Sequence, residues 1–346
     1  MLAAVLSVAV AGPASGQEAK AAPPSAPAWK ITGYVFGDYY YFAQDHDERF
    51  DEQQGFWIRR AYLTYDHTLS PRFAARFRVE ANSNGKMAGG TLNLYMKDAW
   101  LRWTYAGRQQ LIVGLQPTPT LEEPDAVWGL RHIERAPADL YRFDATRDTG
   151  IALAGPLNAA GTVAYAAQLG NGSGVGSETD GKMATRFTLR YLESPGLFLH
   201  ASYGRSDLPQ GADRQVFQVF TAYQHAKGRA GFNYLWGKRD EAADGSVPGA
   251  EVTVVSGFGV LNVRPQKLSL LGRIDRVMDP LPDGSVDYLP FSTAAPFTFG
   301  LVGVEYYLHP SVRFSPNLEL VAYDRPGSNP KPDDDVVVRA TFYWAW

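Results

Sequence analysis

The run Arg72-Phe73-Ala74-Ala75-Arg76-Phe77-Arg78-Val79-Glu80-Ala81-Asn82 shows the architecture most plainly. Its odd positions, Phe73, Ala75, Phe77, Val79 and Ala81, are apolar. Its even positions, Arg72, Ala74, Arg76, Arg78, Glu80 and Asn82, are mostly charged or polar. A period of two held over about ten residues marks a β-strand whose two faces meet different surroundings. The rhythm returns in residues 182–193, where Phe187, Leu189 and Tyr191 alternate with Arg186, Thr188 and Arg190. It returns again at the end of the chain, where Val336, Val338, Ala340, Phe342, Trp344 and Trp346 oppose Arg339, Thr341 and Tyr343. After the N-terminal segment, no window stays apolar for the roughly 20 residues that a membrane-spanning helix needs.

Such strands suit a sandwich with one wet face, or a barrel with its apolar face in lipid and a wet interior. The connections separate the two, because short and long ones alternate. Short connections fall near Ser70-Pro71, Ala106-Gly107, 158–161, 194–196, Lys227-Gly228, Arg264-Pro265 and Pro310-Ser311. Long ones fall near 44–54, 82–90, 116–149, 170–181, 206–213, 240–250, 278–296 and 325–334. The intervening strands number about sixteen, an even count that brings both ends of the sheet to the short-turn side. Closure leaves no strand edge with unpaired backbone groups in lipid, and a sandwich gives no reason for long loops at one end only. The expectation is an all-β fold, a transmembrane antiparallel β-barrel of about 16 strands with short periplasmic turns and long extracellular loops. Tyr34, Tyr39, Tyr40, Tyr41, Trp57, Trp100, Trp103, Tyr105, Tyr203, Trp236, Tyr306, Tyr307, Trp344 and Trp346 lie toward strand ends, where two aromatic girdles are expected at the headgroups.

Composition narrows the function classes. The formal net charge is −3, which leaves no basic footprint for nucleic acid. Aromatic residues make up 13% of the chain, and with the regular alternation they exclude disorder. With Cys 0 there are no disulfides, thiolate chemistry or Cys-ligated metals. His46, His67, His132, His200, His225 and His309 never fall in HxH or HExxH spacing. A His-based metal site would have to be assembled from distant segments, and neither metal nor cofactor is expected. The acidic runs 45–52 and 333–335 read as solvated loops, with divalent cations that bridge lipid headgroups as the alternative. Residues 170–176 with Gly181-Lys182 only superficially suggest a phosphate loop, because Met183 stands where Ser or Thr would bind magnesium and the flanks are strands. At the N-terminus the apolar run 2–11 is too short to span a bilayer. The small residues Ala14-Ser15-Gly16 and polar Gln17-Glu18 follow it. This reads as an export signal over 1–16 whose charged start lies upstream, then a Pro/Ala-rich periplasmic linker over 17–30 and a barrel domain over 31–346.

The chain ends in Phe342-Tyr343-Trp344-Ala345-Trp346, similar to the aromatic C-terminal strand by which outer-membrane barrels are recognised for assembly. Phe342, Trp344 and Trp346 are the assembly-signal candidates, with Trp in place of the more usual terminal Phe. Three further motifs are Phe56-Trp57-Ile58-Arg59-Arg60-Ala61-Tyr62-Leu63, Leu111-Ile112-Val113-Gly114-Leu115-Gln116-Pro117-Thr118-Pro119 and Arg147-Asp148-Thr149-Gly150. Over roughly residues 31–155 they resemble the phosphate-selective porin O/P family; beyond that only strand rhythm and length agree. The resemblance implies a passive, water-filled channel, not an enzyme, in the outer membrane of a Gram-negative bacterium. It further implies a homotrimer in contact with outer-membrane lipid and lipopolysaccharide, and inserted by the barrel-assembly machinery. One departure concerns phosphate: that family usually carries a basic residue before the Thr-Pro pair, where Gln116 stands here.

For a channel, the wall candidates follow from parity. An arginine facing mid-bilayer lipid costs about 2–4 kcal/mol. Arg76, Arg78 and Glu80 are therefore expected to turn inward, and by the same rule Arg60, Asp98, Arg102, Arg186, Arg190, Arg273 and Asp275. Loops beyond about fifteen residues are usually functional, which makes 116–149 the candidate constriction. It carries Gln116, Glu122, Glu123, Asp125, Arg131 and Arg135, so acids on the loop are expected to face bases on the wall. The expected solutes are small and hydrophilic, with a weak preference for anions. Two other readings stay open: an outer-membrane barrel hydrolase with a Ser–His pair, and an exported soluble β-sheet protein that binds sugars.

Overall fold

The computed structural model describes residues 28–83, 91–193, 196–283, 288–327 and 330–346. The expected export signal over 1–16 and most of the connection 82–90 lie outside the described residues. The strands are β1 (Ala28–Gln44), β2 (Gln54–Thr68), β3 (Phe73–Asn82), β4 (Asn93–Ala106), β5 (Gln109–Pro117), β6 (Arg147–Pro156), β7 (Val163–Gly170) and β8 (Ala184–Glu193). They continue as β9 (Leu197–Ser206), β10 (Arg214–His225), β11 (Gly228–Arg239), β12 (Ala250–Arg264), β13 (Leu268–Val277), β14 (Phe297–His309), β15 (Val312–Tyr323) and β16 (Asp335–Ala345). Each pairs antiparallel with its neighbours in the chain, and β1 pairs with β16, so the sheet is a closed barrel of sixteen strands. The first strand begins at Ala28, inside the stretch read as linker, because residues 28–30 pair with His67 and its neighbours on β2.

The short and long connections alternate as the sequence suggests, with both ends of the sheet on the short-turn side. The outer surface is apolar: Phe77, Leu101, Val113, Ile151, Phe187, Leu189, Ile274 and Val302 are all exposed. At the seam, Trp346 exchanges backbone hydrogen bonds with Gly33 at 3.0 and 3.2 Å, and its indole lies over that glycine. A Cβ at position 33 would sit 2.2 Å from the Trp346 ring.

The interior has two unlike halves. Inward positions of β12–β16 carry Val252, Val254, Phe297, Phe299, Leu301, Val321 and Val337, which join Trp128, Leu130, Ile133, Leu140 and Tyr141 of the long connection after β5 in one apolar core. The connection 278–296 adds Leu281, Leu289 and Phe291 to it. Across the barrel, β6 and β7 present the small side chains Ala152, Ala154, Ala164 and Ala166 to an open recess.

Among the register shifts along the sheet, two turn an adjacent pair of charged residues inward. In the β1–β2 register Phe36 faces Arg60 and Gly37 faces Ile58, so Arg59 is an extra residue. Arg59 and Arg60 are consequently both buried on the inside. Likewise Arg78 faces Asp98 and Val79 faces Met96, which leaves Lys97 extra and turns both Lys97 and Asp98 inward. Gly37 makes the first bulge possible, because a Cβ there would lie 2.1 Å from the Trp57 carbonyl oxygen. Gly37→Ala is expected to cost about 1–3 kcal/mol as an overpacked site. An unchanged midpoint for the heat-induced loss of barrel migration on gels would contradict this.

The aromatic residues divide in the same way. Trp103, Tyr105, Tyr203, Tyr306, Trp344 and Trp346 are exposed on the outer surface, as girdle residues would be. Tyr34, Tyr40, Trp57, Trp100 and Tyr307 instead point inside, where Tyr34 stacks on Tyr62, Tyr40 packs on Trp57, Trp57 meets Tyr288 edge-on, and Trp100 and Tyr307 lie under Arg76, Arg102 and Arg313. Position near a strand end does not determine which face a side chain takes.

Candidate functional site

The connection between β5 and β6 enters the barrel. Thr118 precedes α1 (Pro119–Trp128), whose first turn tolerates Pro119 because the missing N–H would have no helical partner there. Leu121, Pro124, Val127 and Trp128 form the buried face of this helix. A second short turn, α2 (Pro137–Leu140), follows. Polar bonds fasten the segment to the wall. Arg59 donates to the carbonyls of His132 and Ile133, and its guanidinium lies 2.7 Å from Asp38. Glu134 meets Arg339 at 3.3 Å, Tyr141 donates to Asp275 at 2.8 Å, and Arg273 donates to the Arg135 carbonyl. His132 lies 2.8 Å from Glu305; burial lowers its pKa more than Glu305 restores it. Asp144, near the end of the segment, takes Arg186 at 2.7 Å.

The expected wall residues all lie on the inner face, but they do not all border open space. Arg273 and Asp275 are covered, with the Arg273 guanidinium stacked on Trp128 and Phe299. Arg186 is similarly enclosed by Asp144 and Asp148. These pairs hold the inserted segment in place. Breaking such a buried pair from one side typically costs about 3–5 kcal/mol. Gln116 is buried, with its amide 3.3 Å from the Gly150 carbonyl, at the edge of the open recess.

The remaining residues form a charged ladder beside α1. Glu80 bridges Arg60 at 2.7 Å and Lys97 at 3.0 Å. Asp98 bridges Arg78 at 3.3 Å and Arg147. Arg78, Lys97 and Arg147 then face Glu122 and Asp125 of α1 and Asp139 of α2 across a narrow space of about 120 Å³. Arg131, on the segment itself, is shared between Asp125 and Asp139. Toward the short-turn end lies a recess of about 560 Å³ bordered by Arg76, Arg102, Arg108 and Arg190 with Glu122 and Glu123. Glu122 borders both spaces. Arg76 is held by Asp66 at 2.6 Å and Arg190 by Glu123 at 2.8 Å. Arg102 lies over Trp100 and, among the described residues, has no carboxylate within ion-pair distance.

The loop carboxyls differ in proton affinity. Desolvation raises the Glu122 carboxyl, Arg147 opposes that and Asp98 adds to it, and the net shift is upward. Glu123 is also raised by desolvation, against the pull of Arg190. Burial pushes Asp139 up as well, but Arg131 and Arg135 outweigh it and hold its carboxyl well below the usual range.

Parity missed Arg59 and Lys97, which only the bulges turn inward. It also passed over Asp38, Glu305 and Glu319, single acids at inward positions of apolar strands, where the cost of a carboxylate in lipid is itself the sign of the inside. His200 is buried on the inner face of β9, and no serine hydroxyl bonds a histidine ring among the described residues.

No family model matches the chain, and no curated protein does. Solved structures do. OmpT of Vibrio cholerae superposes with a TM-score of 0.64 at 14% identity, covering 94% of this chain and 99% of that one. An anion-selective porin from Comamonas acidovorans gives 0.66 at 12% identity, over 92% and 100% of the two chains. Salmonella typhi OmpF, in complex with daunomycin, gives 0.64 at 10% identity, over 91% and 97%. At these identities the agreement is one of fold: this chain has the sixteen-stranded barrel of the outer-membrane porins.

Proposed function

We propose that the chain is an outer-membrane porin, a passive channel for small hydrophilic solutes with a weak preference for anions and no enzymatic activity. The observation that carries this reading is the pair of spaces meeting at Glu122, both bordered by more bases than acids. A low-dielectric passage lined by one sign of charge concentrates the opposite ion. The apolar outer band supports insertion in a bilayer. OmpT of Vibrio cholerae is described as outer-membrane expressed, and the Comamonas porin as anion-selective. One Vibrio cholerae OmpT structure is a trimer form, which supports a homotrimer here. In this reading Arg76, Arg78, Arg102 and Arg190 line the path, and Glu122, Glu123 and Asp125 narrow it. Arg60, Glu80 and Asp98 hold the wall charges in place. Phe342, Trp344 and Trp346 serve as the assembly signal. The resemblance to the phosphate-selective porin O/P family makes phosphate the anion to try first.

The test is planar-bilayer conductance of the refolded protein in a KCl gradient, with phosphate added as a blocker. The expected result is ohmic steps in threes with an anion-sided reversal potential. Because the Glu122 carboxyl is raised, it loses its charge on acidification before ordinary carboxylates do. Anion preference should therefore grow from neutral to mildly acid pH, and Glu122→Gln should flatten that dependence. A folded, heat-modifiable barrel that never conducts would overturn the proposal.

A further inference from the structure

At the long-loop end of the seam, Asp45 and His46 directly follow β1, while Asp335 opens β16. One ligand-capable atom from each of the three lies within 4.8 Å of the other two. The His46 Nδ1 is 3.0 Å from Asp335 Oδ1 and 3.4 Å from Asp45 Oδ1. Both carboxylates are fully enclosed, and the His46 side chain is 14% exposed. Neither carboxylate is paired with a lysine or arginine among the described residues. Among the described residues Asp45 Oδ2 has no hydrogen-bond partner, although Asp45 is only 2% exposed. Two enclosed carboxylates with one orphaned oxygen make a site short of positive charge, and burying such groups without compensation is costly.

We propose that Asp45, His46 and Asp335 bind one divalent transition-metal ion of the zinc class. The donor set carries the assignment. Calcium and magnesium take oxygen ligands, whereas an imidazole beside two carboxylates suits zinc or its first-row neighbours. Three protein ligands leave one position for water. The Tyr323 hydroxyl donates to Asp335 Oδ2 at 2.8 Å and accepts from the Ser292 N–H at 2.9 Å, so the Asp335 carboxylate is already oriented from behind. Asp45 is anchored in turn, because its Oδ1 accepts from the Asp47 N–H at 2.9 Å and its own N–H donates to Asp51 at 2.6 Å. The ion ties the loop after β1 to the start of β16, residues that are 289 positions apart in the chain. It thereby clamps the closing seam of the barrel at its outer mouth. This inference does not depend on what passes through the barrel.

The experiment uses the full chain folded in detergent, stripped with chelator and titrated calorimetrically with zinc, then with calcium. One zinc ion per chain, bound at micromolar concentration or tighter, with a rise in the heat-unfolding midpoint, is expected. Calcium should bind at least a hundredfold more weakly. His46→Gln and Asp45→Asn, each shown by gel migration to remain a closed barrel, should each weaken zinc at least a hundredfold. Cobalt in place of zinc should give a visible absorption band that His46→Gln abolishes. Zinc binding unchanged in both variants, calcium binding as tightly as zinc, or no zinc binding to the intact chain would each overturn the assignment.

Discussion

If the proposed channel holds, exchanging Arg102 and Arg190 together for glutamate is expected to invert its selectivity. Four arginines and two glutamates border the recess. After the exchange, Arg76 and Arg108 face four carboxylates. The fold should tolerate this, because Arg102 is held only by its ring contact with Trp100 and Arg190 only by one part-exposed bond to Glu123. Fields focused in narrow, low-dielectric clefts alter local ion concentrations by about tenfold or more. The permeability ratio should therefore move on the order of tenfold toward cations, read from the reversal potential in a KCl gradient. If the double variant conducts with an unchanged reversal potential, the recess is not on the path. Raising the salt should shrink the difference between variant and parent, since screening shortens the reach of these charges.

Asp38→Ala should give the largest loss of stability. Asp38 is fully buried and receives the Trp57 indole N–H at 2.8 Å, the Arg59 guanidinium at 2.7 Å and the Thr341 hydroxyl. It therefore joins β1 to β2 and to β16, and through Arg59 to the inserted segment. Among the described residues its removal leaves Arg59 enclosed by carbonyls and the Phe36 and Tyr288 rings with no carboxylate against it, the situation for which losses of about 3–5 kcal/mol are typical. Denaturant unfolding followed by tryptophan fluorescence would measure it. Asp38→Asn keeps the acceptor oxygen and should lose less. Equal losses in the two variants would mean that shape, and not charge, fixes this junction.

The strands and their connections were legible because one physical constraint repeats: a residue in lipid must be apolar, and its neighbour need not be. Where that constraint is weak, the reading fails. β14 carries Phe297, Phe299 and Leu301 inward and Val302 outward, so both of its faces are apolar and no period marks the inside. The apolar half of the interior was thus invisible, and with it the way the segment 116–149 is seated. The bulges are a different case. Arg59-Arg60 and Lys97-Asp98 are adjacent charged pairs in mid-strand, and strict alternation sends one member of each toward lipid. An arginine or lysine there costs about 2–4 kcal/mol. Two neighbouring charges in the middle of a barrel strand, away from its ends, are therefore themselves a sign of a bulge, a signal that period-two reasoning overlooks. Acids of the segment 116–149 lie beside bases of the wall, and Lys97, one of those bases, lay hidden by its register.

The contact of Trp346 with Gly33 has a kinetic consequence. Every other strand pair joins neighbours in the chain, whose connections, short or long, are far shorter than the whole sheet and close at smaller entropic cost. The seam alone brings together the two extremes of the sheet, and such distant contacts are slow to form. The sheet can grow hairpin by hairpin, but its two edges stay open until β16 finds β1. Gly33 provides the flat place where the Trp346 ring settles at that moment. A side chain at position 33 should leave the hairpins intact and delay the final step, lengthening the life of an open, aggregation-prone sheet.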